Sequence, residues 1–286
     1  MRVFDGKKAA GKILKEIKKS VVQECLEPVL AVILIGDDES SRLYARLKKE
    51  AGHKIGVKVV EYKFDTQVSD NDVVAKIKQL NDDENVHGII VQLPLPAIFN
   101  ADRMIEQINP QKDVDGFHRE NRRLLEKEKG PHFLPVLPLA ILGAVSDAVK
   151  NKLEELKGKN ILALVNSEIF GLALKLVFAR EGLSVNYRVR NTCLVLGLEK
   201  DLLAADVLIT VSGCPNLVKD EIIKQGVILI DGGITRYHDG KVVGDIDRKS
   251  VESKAAFLTP VPGGIGPLTV ALLLRNVYLA AKKRET

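Results

Sequence analysis

The sequence predicts an α/β chain of two domains built on parallel sheets, and three observations carry that expectation. Apolar segments of two periods alternate along the chain: short continuous runs that suit buried strands, and longer stretches spaced three and four apart that suit helices. The 286 residues exceed one ordinary core and match two domains of ~150 residues each. Residues 109–137 interrupt the rhythm with Asn-Pro, Asp-Gly and Gly-Pro pairs, where a boundary is expected.

Taken in order, Ala9, Ala10, Ile13, Leu14, Ile17 and Val21 recur at helical spacing. Residues 29–35 form an unbroken apolar run that stops at Gly36-Asp37-Asp38, the pattern of a buried strand and its turn. Ser40 or Ser41 is placed to cap the next helix, whose Leu43, Leu47, Ala51 and Ile55 share one face. A strand at 57–62 follows, then a helix through Val73, Val74, Ile77 and Leu80 behind the cap-like Ser69-Asp70. A strand at 87–91 ends at Gln92-Leu93-Pro94-Leu95-Pro96. Beyond the break come a helix at 141–156, a strand at 161–165 and a helix at 169–180. Strands at 184–188, 207–211 and 227–230 complete the second sheet. Asp239-Gly240 marks a hairpin turn, and Pro267 opens a final helix through Ala281.

Composition narrows the function. Hydrophobic residues at 45% and charged residues at 28% exclude disorder, because enough apolar surface exists to offset chain entropy. No run approaches the ~18 apolar residues of a membrane span, and the lysine-studded start lacks a signal-peptide core, so a cytoplasmic protein is expected. The net charge of +5 is mild and unclustered, tryptophan is absent and aromatics are 5%, which argues against nucleic acid and for small anionic ligands. Cys25, Cys193 and Cys214 lie far apart, the pattern of reduced thiols and not of a disulfide or zinc frame. Asp113 and Asp115 stand two apart with no second ligand cluster, so no metal is expected.

Two segments carry candidate chemistry. A strand, turn and helix over 161–180 is a Rossmann-like setting, but its turn, Val165-Asn166-Ser167-Glu168-Ile169-Phe170-Gly171, holds one glycine where a phosphate loop usually has three. Glu168 places a negative charge near the helix start, and Arg188 and Arg190 end the next strand, where arginine favours a ribose 2′-phosphate. A nucleotide site and a bare scaffold both remain open on these residues. In the first half Ser41, Tyr44 and Lys48 stand at i, i+3 and i+7, one helical stripe. A lysine beside an aromatic ring in a partly dry cleft has a lowered pKa and acts as a base, while Arg42, Arg46, Lys48 and Lys49 also fit a solvated basic face. Gln92 sits at the carboxyl end of a strand, where ligands collect in open parallel sheets. The loop from Thr259 to Pro267 is rigid and glycine–proline rich, suited to meeting a flat ligand or to linking domains.

Four segments in order make the chain resemble the bifunctional methylenetetrahydrofolate dehydrogenase/methenyltetrahydrofolate cyclohydrolase family over essentially its whole length. They are Ser41-x-x-Tyr44-x-x-x-Lys48, Gly88-Ile-Ile-Val-Gln92-Leu-Pro-Leu-Pro96, Lys112-Asp-Val-Asp115-Gly116-Phe, and Thr259 to Thr269. The resemblance implies two α/β domains with a folate cleft between them: residues 1–118 and 268–286 as the folate-binding catalytic domain, and 119–267 as a Rossmann-like NAD(P)-binding domain. It implies NADP-dependent oxidation of 5,10-methylenetetrahydrofolate to the methenyl form and hydrolysis of that to 10-formyltetrahydrofolate, with NAD as the other possible dinucleotide. By the same resemblance Lys48 is the base or proton shuttle, Gln92 holds and tunes it, Tyr44 packs near the one-carbon bridge, and Asp115 reads the pterin. Ser41, Leu93, Gly116, Pro262, Gly263 and Gly264 complete the implied folate side. Asn166, Ser167, Gly171, Arg188, Arg190, Gly213 and Ile234 make up the implied cofactor side. A homodimer acting on tetrahydrofolate derivatives, without metal, is implied as well.

The departures fall in the second half. The family turn Gly-Arg-Ser-x-x-Val-Gly-x-Pro has Val165 for the glycine, Asn166 for the arginine and Ala173 for the proline. Arg188-Val189-Arg190 stands for Cys-His-Ser, Pro135-Val136-Leu137-Pro138 for Pro-Cys-Thr-Pro, and Asp231-Gly232-Gly233-Ile234-Thr235 has glycine for valine and threonine for asparagine. The alternatives are a monofunctional cyclohydrolase with a degenerate cofactor site and a catalytically silent folate-binding or dimer-partner protein. Intact Lys48, Gln92 and Asp115 speak against silence.

Overall fold

The computed structural model describes residues 1–190, 192–237 and 239–285. In chain order the first elements are β1 (Arg2–Val3), α1 (Gly6–Gln23), β2 (Val29–Ile35), α2 (Glu39–Ile55), β3 (Lys58–Phe64), α3 (Asp70–Asp82) and β4 (Gly88–Val91). Helices α4 (Ala101–Ile105), α5 (Arg119–Glu126) and α6 (Val136–Ala148) lead to β5 (Ile161–Val165), α7 (Glu168–Ala179) and β6 (Val185–Val189). Then come α8 (Glu199–Ala204), β7 (Val207–Val211), β8 (Ile228–Asp231), β9 (Thr235–Arg236), β10 (Val242–Val243), α9 (Arg248–Val251), β11 (Phe257–Leu258) and α10 (Ile265–Glu285). Among the described residues no helix is long and apolar enough to cross a membrane. The chain divides into two compact units, one of Ala10–Val136 with Val270 onward, the other of Met1–Ala9 with Leu137–Thr269.

The first unit holds a parallel sheet in the order β3-β2-β4, with Leu30 facing Val59 on one side and Gly88 on the other. Both faces of β2 are covered, which is why it reads as a continuous apolar run. Ala31, Ile33 and Ile35 pack with Val73, Ile77 and Leu80 of α3 and with Ile89 and Val91 of β4. Ser69 caps α3 by accepting from the Asp72 amide. The cap of α2 corrects the expectation of Ser40 or Ser41: Asp38 accepts from the Ser41 amide, and Gly56 closes the helix at φ +82°. The inner face of α2 is corrected too. Its buried residues are Ser41, Ala45, Lys48, Gly52 and Ile55, while Leu47 is 40% exposed.

The division falls after residue 136, inside the break at 109–137 and later than the 118/119 boundary that the resemblance implies. Helix α5 lies inside that break and is anchored to the first unit, because buried Asn121 donates to the Pro110 carbonyl and to the Asp113 carboxylate, each at 3.0 Å. Residues 1–9 join the second unit because β1 pairs with β11.

The second unit is built on a six-stranded parallel sheet in the order β1-β11-β8-β7-β5-β6, with β9 and β10 as a separate antiparallel hairpin across Asp239-Gly240. Chain order reverses at β5: β6 lies on one side, β7 and β8 on the other. Such a reversal opens a crevice at the carboxyl ends of the strands. Leu162, Leu164, Leu208 and Leu229 form its core with Val218, Ile223 and Val251. The thiol expectation is corrected here. Cys193 and Cys214 form a disulfide with Cα atoms 5.2 Å apart, and only Cys25 of the three cysteines is outside it. Their separation of 21 residues in the chain hides the fact that the loops after β6 and β7 converge in space.

Candidate active site

In the first unit the stripe on α2 meets the end of β4. Lys48 is 8% exposed and its Nζ donates to Gln92 Oε1, while Gln92 Nε2 donates to the Leu93 carbonyl at 2.7 Å, which fixes the orientation of the amide. Burial lowers the Lys48 ammonium to about 8, against the pull of the Asp115 charge, which raises it. Burial pushes Asp115 up to about 6, Lys48 draws it down, and Asp113 adds a further upward push. Near neutral pH, therefore, an ionised carboxylate faces a lysine close to losing its proton. Burial pushes the Tyr44 phenol up to about 12, so it stays a hydrogen-bond donor. Ser41 Oγ is buried without a hydrogen-bond partner, and Leu93 is 46% exposed beside Gln92.

The loop bearing Asp115 is held from three directions. The Asp113 carboxylate accepts from the amides of Gly116 and His118 at 3.2 and 2.8 Å. The Val136 amide donates to the Asp115 carbonyl at 3.0 Å, and Asn276 of α10 donates to the Val114 carbonyl at 2.8 Å. Gly116 sits at φ +80°, and a Cβ there would lie 2.7 Å from the Leu134 backbone, so only glycine fits the turn. Asp113, weighed above as a metal ligand, organises this loop. Lys112 is fully buried and donates to the Leu80 and Asp83 carbonyls at the end of α3, a position a cation favours.

In the second unit Asn166 and Ser167 are exposed past the end of β5, and Ser167 Oγ accepts from the Phe170 amide at 3.3 Å to cap α7. Val165 is fully buried, so its bulk belongs to the core and does not fill the turn. Glu168 accepts from the Tyr187 hydroxyl at 2.8 Å. A Cβ on Gly171 would stand 2.4 Å from the Tyr187 ring, so the close approach of α7 to β6 requires glycine, one of the three roles that phosphate-loop glycines serve. Arg188 pairs with Asp201 at 3.0 Å. Arg190 has a buried Nε without a partner, and its amide donates to the Val165 carbonyl at 2.8 Å, beside the turn. Gly213 is exposed at φ +72° with open space around it, and Ile234 is half-buried ahead of β9. Pro262, Gly263 and Gly264 turn the chain into α10, with Gly263 at φ +102° and the Gly264 amide donating to the Pro260 carbonyl at 2.8 Å.

Composition and periodicity missed Asp231 and Asp245 as site-forming residues, although the Asp231-Gly232-Gly233 and Gly244-Asp245 pairings were visible. Asp231 accepts from the amides of Gly233, Asp245 and Ile246, and Asp245 accepts from the amide and hydroxyl of Ser212 at 2.7 and 2.9 Å. Burial, with Asp245 adding repulsion, pushes Asp231 up to about 7. The pair holds the loop after β7. The capped start of α7, the glycine-dependent packing beneath it and the unpartnered Arg190 nitrogen fit an anionic dinucleotide.

The family model described as the catalytic domain of tetrahydrofolate dehydrogenase/cyclohydrolase matches residues 4–115, and the NAD(P)-binding domain of the same family matches residues 140–285. The chain belongs to the tetrahydrofolate dehydrogenase/cyclohydrolase family. Among its relatives in that family, the bifunctional protein FolD of Nautilia profundicola is 38% identical, covering 99% of this chain and 98% of the relative. The crystal structure of the bifunctional FolD enzyme from Campylobacter jejuni superposes with a TM-score of 0.89 at 37% identity, over 99% of both chains. The Trypanosoma brucei dehydrogenase-cyclohydrolase, solved with NADP and an inhibitor, superposes with a TM-score of 0.87 at 30% identity, over 99% of this chain and 97% of that one.

Proposed function

We infer that this protein oxidises 5,10-methylenetetrahydrofolate with NADP and hydrolyses the methenyl product to 10-formyltetrahydrofolate, using Lys48 as the base. The observation that carries this reading is Lys48 itself: buried, aimed by Gln92, opposed by Asp115 and brought to about 8. At pH 7 roughly a tenth of such lysines are neutral and able to accept a proton. Lys48 takes one proton of the water whose oxygen bonds to the methenyl carbon and returns it to the ring nitrogen as the carbon–nitrogen bond breaks, while the second proton of that water leaves to solvent as the formyl carbonyl forms. Asp115, ionised above about 6, accepts from the donors of the pterin, and Ser41 Oγ and the Tyr44 hydroxyl offer further polar contacts. Ser167 and the amides at the start of α7 would hold phosphate, with Asn166, Gly171, Gly213 and Ile234 shaping the site, and Arg190 would meet the 2′-phosphate while Arg188 stays with Asp201. The chemistry the nicotinamide supplies when bound is acceptance of a hydride from the methylene carbon. A cyclohydrolase alone is not favoured, since Val165 leaves the turn unblocked.

The test is a paired assay of NADP reduction and methenyl hydrolysis on the purified chain. Hydrolysis should rise as pH passes upward through about 8, because the lowered Lys48 group then sheds its proton. A flat profile across that range would remove Lys48 as the base. In the accompanying titration, Arg190→Ala should loosen NADP and leave NAD little changed. The same reading makes the protein a cytoplasmic homodimer, and sedimentation at micromolar concentration should give a dimer; a monomer contradicts it.

A further inference from the structure

Cys193 and Cys214 lie in the loops that leave the carboxyl ends of β6 and β7, and β5 stands between those two strands in the sheet. Strands two places apart are ~9.6 Å from each other. The two Cα atoms are only 5.2 Å apart. The loops therefore lean toward one another across the end of β5 and are joined there. On the β6 side the Arg190 amide is still paired with the Val165 carbonyl, and the three residues onward to Cys193 reach at most ~10 Å. On the β7 side Gly213 turns the chain at φ +72° directly before Cys214.

Between the two strands whose loops are joined stands β5, which leads into Asn166, Ser167 and the start of α7 at the point where strand order reverses. In open parallel sheets that crevice is where dinucleotides enter. The two sulfurs differ in access: Cys193 is exposed, whereas Cys214 is 5% exposed. Exposed disulfides are the ones that thiols exchange with readily, and disulfides in cytoplasmic proteins are most often transient and redox-sensing.

We propose that the Cys193–Cys214 bond is a redox gate on the dinucleotide site, closed when oxidised and open when reduced. The proposal rests on the cofactor reading given above. Opening consumes one small dithiol: its thiolate bonds to Cys193 Sγ, the Cys193–Cys214 bond breaks, and Cys214 leaves as a thiolate that takes up a proton. The second thiol of the reductant then attacks its own sulfur in the mixed disulfide and releases Cys193, which takes up the other proton. Two electrons pass to the protein, and the reductant leaves as a disulfide. The freed loops relax toward the spacing of their strands, and Arg190, three residues from Cys193, can turn its unpartnered nitrogen to a ligand.

Calorimetric titration of NADP into the full chain, oxidised and then reduced with dithiothreitol, tests the gate, with Cys193→Ser as a form that cannot close. Thiol titration of the denatured protein verifies each state, one thiol when oxidised and three when reduced, because Cys25 is outside the bond. Reduced protein and Cys193→Ser should bind NADP alike, and the oxidised form about tenfold or more weakly. Methenyl hydrolysis, which uses Lys48 and Gln92 of the other unit, should not change between states. Equal or tighter NADP binding by the oxidised protein overturns the gate and leaves the bond a plain cross-link. Absence of NADP binding from both the reduced protein and Cys193→Ser overturns the gate and the cofactor reading beneath it together.

Discussion

Lys48→Met is expected to lower methenyl hydrolysis by ~10²–10⁴-fold, the usual contribution of a positioned general base, while the protein stays folded. Methionine keeps the length of the lysine stem and removes only the group that exchanges protons. It leaves Gln92 Oε1 without the donor it has now, a cost of about 1–3 kcal/mol that a two-unit chain of this size tolerates. The measurement is steady-state hydrolysis beside a thermal melt. Near-normal hydrolysis by a folded mutant would take Lys48 out of the mechanism. A collapsed melt would instead show that the lysine is chiefly structural.

Asp115→Ala is expected to weaken folate binding by about 1.5–3 kcal/mol, a factor of roughly 10–150, with little effect on NADP. The mutation removes an ionised acceptor that neutral side chains replace poorly. It also removes the one charge that holds the Lys48 ammonium up against burial. The sign follows: without Asp115 the lysine sheds its proton at lower pH, so the rise in hydrolysis should move below about 8. Titration of both ligands and the pH profile of residual activity check the two halves. Equal loss for folate and NADP would point to a folding defect, and an unmoved pH profile would show that Asp115 and Lys48 are not coupled.

Several elements were legible because a single physical rule decides them. Strands β2, β5 and β7 are covered on both faces, so they appear in the sequence as unbroken apolar runs with the bounds seen in the structure. The Ser69 cap and the Asp239-Gly240 hairpin were legible for a similar reason, since each depends on chemistry within four or five residues. The inner face of α2 was not. Apolar spacing selected Leu43, Leu47 and Ala51, whereas the helix buries Ser41 and Lys48, because a polar site occupies the side that a plain core would fill. The extent of the first unit was equally hidden, since α5 is rich in charge and is anchored by Asn121 to residues read as part of a linker.

The sequence by itself determined the alternation of strand and helix, the residue types of the candidate site and the order of its four segments, because those depend on local propensity and on which side chains are present. Only the tertiary structure decided that Lys48 and Gln92, 44 residues apart, share a hydrogen bond. It alone brought Asp115 near enough to oppose the loss of the lysine charge, left Arg190 with a spare nitrogen while Arg188 was taken by Asp201, and joined Cys193 to Cys214. The physical reason is common to all four. Each rests on desolvation and on distances of a few ångströms between segments far apart in the chain, and those distances exist only once parallel strands have brought their carboxyl ends to one edge.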